Sequence, residues 1–224
     1  MTAGAVMAQL GKQVASCTAC PRLVAWRQEV ALVRRAQFAD QTYWGRPVPG
    51  YGDPKAEVLV VGLAPAAHGG NRTGRVFTGD RSGDWLFRAM WRAGFANQPT
   101  SVTSDDGLEL KRAWVTAAVK CAPPLNRPTT DERDRCISFL MREISLLSQL
   151  RVVVALGQFA WSSVCMCLEL TPRPKFTHGA EVELVGQRWL LGSFHPSQQN
   201  TFTGKLTEQM LDSVFERARW LIGP

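Results

Sequence analysis

The chain has no uninterrupted apolar stretch of about 18 residues, so a membrane-spanning helix is not expected. Its most apolar segment, Val152 to Leu170, is broken by Gly157, Gln158, Ser162 and Ser163 into a strand and a helix. The opening MTAGAVMAQLGKQ has no basic start followed by a sustained apolar core, which argues against a secretory leader. No GxGxxG and no Walker pattern occurs, so a nucleotide cofactor is not the default expectation. Internal repeats and low-complexity tracts are also missing. These absences lead to an intracellular protein without membrane contact. In such a reducing compartment the six Cys serve as metal ligands, reactive thiols or packing groups rather than disulfides.

What is present bounds the fold. A length of 224 residues suits one well-cored domain spanning 1–224, and 45% hydrophobic residues with eight Trp support a substantial core. A formal net charge of +7 and a pI near 9.4 favour a polyanionic partner, although a basic protein with no such partner has the same composition.

The chain is organised around residues 57–86, EVLVVGLAPAAHGGNRTGRVFTGDRSGDWL, where an apolar run ends in a long polar loop. Val58 to Val61, bounded by Pro54 and Gly62, reads as a strand buried on both faces of a parallel sheet. Ser82, ahead of Trp85, Leu86, Met90 and Trp91, reads as the cap of a helix. Upstream, residues 4–39 form two helices joined at Cys17-Thr-Ala-Cys20-Pro21, and residues 40–56 form a Gly- and Pro-rich connector carrying Tyr43, Trp44, Arg46 and Tyr51. Further strands are Ala113 to Val119 and Arg151 to Gly157, the second followed by a crossover helix from Gln158 to Leu170. Thr130 opens a helix to about Leu150 with acids in its first turn. Residues 181–194 alternate as a hairpin whose second arm joins the sheet, and Lys205 to Ile222 close the chain as a helix. The expected architecture is a three-layer α/β/α domain around a mainly parallel four-stranded sheet. Ligands in such sheets bind at the carboxyl ends of the strands, which is where the long loop lies.

Several residues there carry chemistry, each with a plainer alternative. Cys17 and Cys20 form C-x2-C, and Cys121 and Cys136 have fourteen residues between them. Four thiolates suit zinc or an iron-sulfur cluster; unligated core Cys with a redox C-x2-C is the alternative. Cys165 and Cys167 read as packing groups. His195, before Pro196, is either structural or aimed at the same rim as the loop. Phe77 is either a stacking platform for a planar base or a pin for the loop. Asp80 is a general base, a ligand acceptor or a helix cap. Arg72, Arg75, Arg81, Arg88 and Arg92 suggest phosphate contacts or a solvated surface.

Taken together, GLAPAAHGGN, RVFTGD, VKCAPPLN and HPSQQN resemble the motifs of the uracil-DNA glycosylase superfamily, and the Cys pattern with the GLAP-type first motif resembles its iron-sulfur family 5, the type B enzymes. The resemblance runs from about Cys17 to about Lys205. It implies a 4Fe-4S cluster on Cys17, Cys20, Cys121 and Cys136, tying on the N-terminal helices of residues 1–39. It also implies excision of uracil, hypoxanthine and other damaged bases from DNA by a monomeric protein of the cytoplasm and nucleoid. Flipping the nucleotide out of the stack costs a few kcal/mol and needs a shaped pocket. By resemblance, Phe77 stacks on the base, Gly62, Leu63 and Ala64 form a wall, and His195 donates to the uracil oxygen. Pro196 to Asn200 enter the duplex, and His68 and Asn200 complete the substrate contacts.

Two positions depart from related branches. Leu63 stands where those carry Asp, Asn or Glu to position water, and Thr116-Ala117-Ala118 replaces a strand end with an Asn that reads uracil. Both departures resemble the type B branch. Asp80 and Asn126 are the expected substitutes, with His68 as a further candidate. The competing functions are an iron-sulfur protein that recognises DNA damage without cutting, and a zinc-stapled protein unrelated to DNA.

Overall fold

The computed structural model describes residues 2–223. Strands β1 (Tyr51–Gly52), β2 (Val58–Gly62), β3 (Ala113–Ala117), β4 (Val152–Leu156), β5 (Glu181–Leu184) and β6 (Arg188–Ser193) form one sheet in the order β1-β3-β2-β4-β6-β5. The inner four, β3-β2-β4-β6, are mutually parallel, as the strand and helix alternation demands. Antiparallel β1 and β5 extend the expected four strands to six. The first lies inside the Gly- and Pro-rich connector, where two residues are too few to show an alternating pattern. The second is the outer arm of the predicted hairpin.

Helices α1 (Ala3–Ala15), α2 (Pro21–Val33), α3 (Gly70–Thr73), α4 (Arg81–Arg92), α5 (Thr130–Leu146), α6 (Gln158–Cys167), α7 (Gln198–Phe202) and α8 (Glu208–Ile222) surround the sheet. Every residue of β2, β3 and β4 is buried, which explains their unbroken apolar sequences. Side chains of period two divide between the faces. Val58, Val60, Val152 and Val154 pack with Leu86 and Met90 of α4 and Leu211 and Phe215 of α8. Leu59, Val61, Val153 and Ala155 pack with Met7 of α1, Leu140 of α5 and Trp161 of α6. These are the three expected layers, and each fully buried Val or Leu contributes about 1.5–3 kcal/mol.

Helix starts differ slightly from expectation. Asp80, not Ser82, caps α4, accepting from the Gly83 amide at 3.0 Å. Helix α5 does open at Thr130, behind Thr129 as its cap in a reciprocal box with Glu132, but it ends at Leu146 rather than near Leu150. Ser197 caps the short α7, so the loop after His195 is partly helical.

The topology places the site. From β2 the chain crosses to β3 on one side and then to β4 on the other, so the carboxyl ends of β2 and β4 flank a switch point where loops diverge. Just past β3 the chain buries a charge. Lys120 is 1% exposed, with Nζ 2.6 Å from Glu143 Oε2 on α5, and the Thr116 hydroxyl donates to the same carboxylate at 2.9 Å. Gly50 leaves this network room, because a Cβ there would collide with Glu143 and Trp114. Lys120→Met should therefore cost about 3–5 kcal/mol in urea unfolding, since Glu143 is left buried and uncompensated, and adding Glu143→Leu should restore most of that loss.

Candidate active site

A cleft of about 1330 Å³ opens at the carboxyl ends of β2, β4 and β6. Its floor begins with β2. A Cβ on Gly62 would run into the Phe77 ring, so the ring lies directly against the bare end of the strand. Phe77 adopts φ 54°, in the left-handed region that non-glycine residues avoid, and is held there by core contacts behind it. Phe77 is 5% exposed and packs in the core, so it pins the loop, and it also lines the cleft. The His195 ring centroid is 5.8 Å away, tilted by 31°.

His195 follows β6 and is seated by two contacts. Gly157, at φ 92°, ends β4 so closely that a Cβ there would lie 3.3 Å from the His195 Cβ. Asn200 Nδ2 donates to the His195 carbonyl at 2.8 Å, so Asn200 lines the cleft while its amide holds the histidine backbone. Protein atoms crowd the imidazole although its edge reaches the cleft, and this desolvation lowers its pKa to about 4. The ring is neutral at physiological pH.

Asp80 takes the helix-cap role among those expected of it and also lines the cleft. Its Oδ1 caps α4, while Oδ2 packs against Gly69, where any Cβ would displace it. Burial raises its pKa to about 6, against the opposing pull of the Gly83 and Ser82 amides and Arg72. Leu63, Ala64, His68 and Asn126 also line the cleft. His68 Nδ1 meets the Tyr43 hydroxyl at 3.0 Å, and burial, with Arg35 and Arg72 nearby, pushes its pKa down. Thr116, at the altered end of the second predicted strand, turns instead into the buried Lys120 and Glu143 network.

The expected set of phosphate-binding arginines is largely corrected. Arg72 is buried, lies 4.0 Å over the Phe38 ring, and donates to the carbonyls of His68 and Gly79. Arg75 is buried against Asp106 at 2.7 Å. Arg88 and Arg92 pair with Glu208 and Asp212 of α8. Arg81 remains at the cleft, stacked 4.2 Å over Phe202. Crowding in sequence did not reveal which way each guanidinium turns. Conversely, Arg35, Phe38, Gln41, Phe159 and Phe176 reach the cleft from distant segments with no local signal to announce them.

Cys17, Cys20, Cys121 and Cys136 line a second, small cavity between the α1–α2 junction, the end of β3 and α5. Among the described residues, no three or more His, Cys, Asp or Glu side chains are grouped to hold a single metal ion. Burial pushes Cys121 up to about 12 and Cys136 to about 11, and raises Cys20. Arg27, 4% exposed, sets its guanidinium beside Cys121 and leaves its buried Nε without a partner. The Lys120 amide donates to Cys136 Sγ at 3.3 Å. These donors fit an anionic thiolate centre. Cys165 lies in the core and Cys167 packs against it, as expected.

Residues 49–219 match the model of the uracil DNA glycosylase superfamily. The chain belongs to that superfamily. Similar proteins include a type-5 uracil-DNA glycosylase of Mycobacterium bovis, 54% identical over 96% of this chain and 81% of the relative. One from Mycobacterium leprae is 52% identical over 96% and 95%, and one from Thermus thermophilus is 49% identical over 93% and 94%. A type-4 uracil-DNA glycosylase of Archaeoglobus fulgidus is 33% identical over half of the chain. No described helix is long and apolar enough to cross a membrane.

In this superfamily member the floor depends on bare backbone at Gly62. Gly62→Ala should therefore destabilise by about 1–3 kcal/mol in urea unfolding through the displaced Phe77 ring. Gly94→Ala, at φ 79° with nothing within 4 Å of the added methyl, should show only the left-handed backbone cost of about 1 kcal/mol.

Proposed function

We propose that this chain removes uracil from DNA by hydrolysing the N-glycosidic bond, releasing the free base and leaving an abasic site. Hypoxanthine and other deaminated bases are further substrates of the same pocket. The observation that carries the reading is the meeting of Phe77 and His195, 5.8 Å apart, at one cleft beside Asp80. Phe77 stacks on the flipped base. Neutral His195 donates to the base oxygen on which negative charge develops as the bond breaks; a neutral donor does this without a net charge buried in the resting site. Leu63 offers no hydrogen bond to water, so water is directed by Asp80 and Asn126. Asp80, once ionised, also opposes the positive charge that grows on the sugar. No lysine nucleophile takes part, so the strand is not cut. Gly62, Leu63, Ala64 and His68 shape the wall, and Asn200 acts on the base through His195.

The basic groups at the cleft, Arg35, Arg81, Arg127 and Lys205, suit a DNA backbone, and we assign the protein an intracellular role as a single-domain monomer. The four Cys that line the small cavity would hold a 4Fe-4S cluster, since soft thiolates are its ligands, and Arg27 beside Cys121 would balance its negative charge. Ligation by Cys17 and Cys20 on one side and Cys121 and Cys136 on the other would tie the N-terminal helices to the segment leading into the Asn126 loop, a structural role.

Uracil-containing oligonucleotides, followed by alkaline cleavage of abasic sites, test the activity; no release would overturn the reading. His195→Ala should slow single-turnover release by about 10²–10³-fold while DNA affinity stays near normal. With Asp80 ionising at about 6 and His195 gaining a proton only near 4, the rate should rise as pH increases through about 6 and then level off. Asp80→Asn should be slower and lose that step. For the cluster, purified protein should be brown with broad visible absorption, and Cys17→Ser with Cys121→Ser should bleach it and lower the thermal midpoint; a colourless zinc protein would refute this assignment.

A further inference from the structure

A glycosylase that draws a nucleotide out of a duplex needs something to occupy the stack while the base is away, and apolar side chains commonly do this. The loop after His195 offers little of that kind: Pro196 is buried, and Ser197, Gln198, Gln199 and Asn200 are polar. Phe202, at the end of α7 and 66% exposed, stacks one face of its ring on Arg81 at 4.2 Å and does not line the cleft. Another part of the rim supplies what is missing. Leu125 lines the cleft mouth and is 82% exposed, so an apolar side chain projects at the opening itself, unlike the similarly exposed Leu32 and Val185, which do not line the cleft.

We propose that Leu125 is the wedge that enters the DNA stack when a base is flipped into the cleft. Its backbone supports that use. Leu125 and Asn126 are consecutive non-glycine residues in the left-handed region, at φ 53° and 54°, in a segment bounded by Pro123, Pro124 and Pro128. The prolines restrict the loop, so the side chain is held outward before DNA arrives rather than ordered on binding. Arg22 donates to the carbonyl of Arg127 at 3.2 Å and pairs with Glu132, which fastens the loop to α2 and α5. Arg127 is exposed beside the leucine, where a cation can meet the phosphate next to the opened step. Asn126 lies between them on the same rim, so insertion of Leu125 and approach of Asn126 to the sugar are one motion of DNA against a fixed loop. Val102, on the same cleft at 57% exposure, has a shorter side chain and no such backbone.

This inference rests on the proposed excision and deepens it. The test compares wild type, Leu125→Ala, Leu125→Phe and Val102→Ala on one uracil oligonucleotide, single-stranded, paired opposite adenine, and mispaired opposite guanine. A 2-aminopurine beside the uracil reports unstacking. Leu125→Ala should lose about tenfold or more in single-turnover release from the adenine-paired duplex, less from the guanine mispair, and less than about twofold from the single strand. Its 2-aminopurine signal in the duplex should fall, while Leu125→Phe and Val102→Ala should stay near wild type. The thermal midpoint should not drop, because the side chain is exposed. Equal losses on single and double strands, or an unchanged duplex rate and signal, would overturn the wedge while leaving the excision reading intact. Wild type inactive on every substrate would overturn both.

Discussion

The site depends on how closely an aromatic ring can approach the end of a buried strand. Phe77 rests on Gly62 because that strand end has no Cβ, and its own strained backbone is tolerated because the other side of the residue is packed in the core. The same device recurs around the cleft. Gly157 lets β4 end against His195, and Gly69 lets the Asp80 carboxylate press against the loop backbone. Floor, histidine and carboxylate are therefore each set by contact with main chain, which moves less than a side chain would. A pocket built this way is shaped before its ligand arrives.

The crowding that positions these groups also tunes them. Desolvation pushes His195 down and Asp80 up, each toward its uncharged form. The two respond to one physical cause with opposite shifts because one is charged when protonated and the other when deprotonated. The cleft therefore holds a neutral imidazole and a carboxyl that ionises just below neutral pH. In Asp80 one oxygen caps a helix while the other packs against Gly69, and the residue lines the cleft.

Charge is handled differently away from the cleft. Arg72 and Arg75 are spent on holding the long loop, and Arg88 and Arg92 join α4 to α8. The buried Lys120 and Glu143 pair lies between the sheet and α5, next to the Cys cavity, and Arg27 reaches that cavity from α2. The net positive charge is thus not one binding surface. Much of it is internal framework, and the groups left at the cleft mouth are those free to meet a phosphate.

The amino-acid order determined the parallel sheet and its layers, because unbroken apolar runs fit only strands covered on both faces and alternating helices allow only short right-handed crossovers. It also marked Phe77, His195, Asp80 and the four Cys as candidates, although each had a plain structural alternative and Asp80 does cap α4. The edge strand β1 was invisible, because two residues in a Pro-rich connector carry no period. The directions of the arginines, the closing of the cleft by Phe38, Gln41, Phe159 and Phe176, and the exposure of Leu125 were decided only in three dimensions. Those features depend on which distant segments meet at the switch point between β2 and β4, and no stretch of sequence contains both sides of such a meeting.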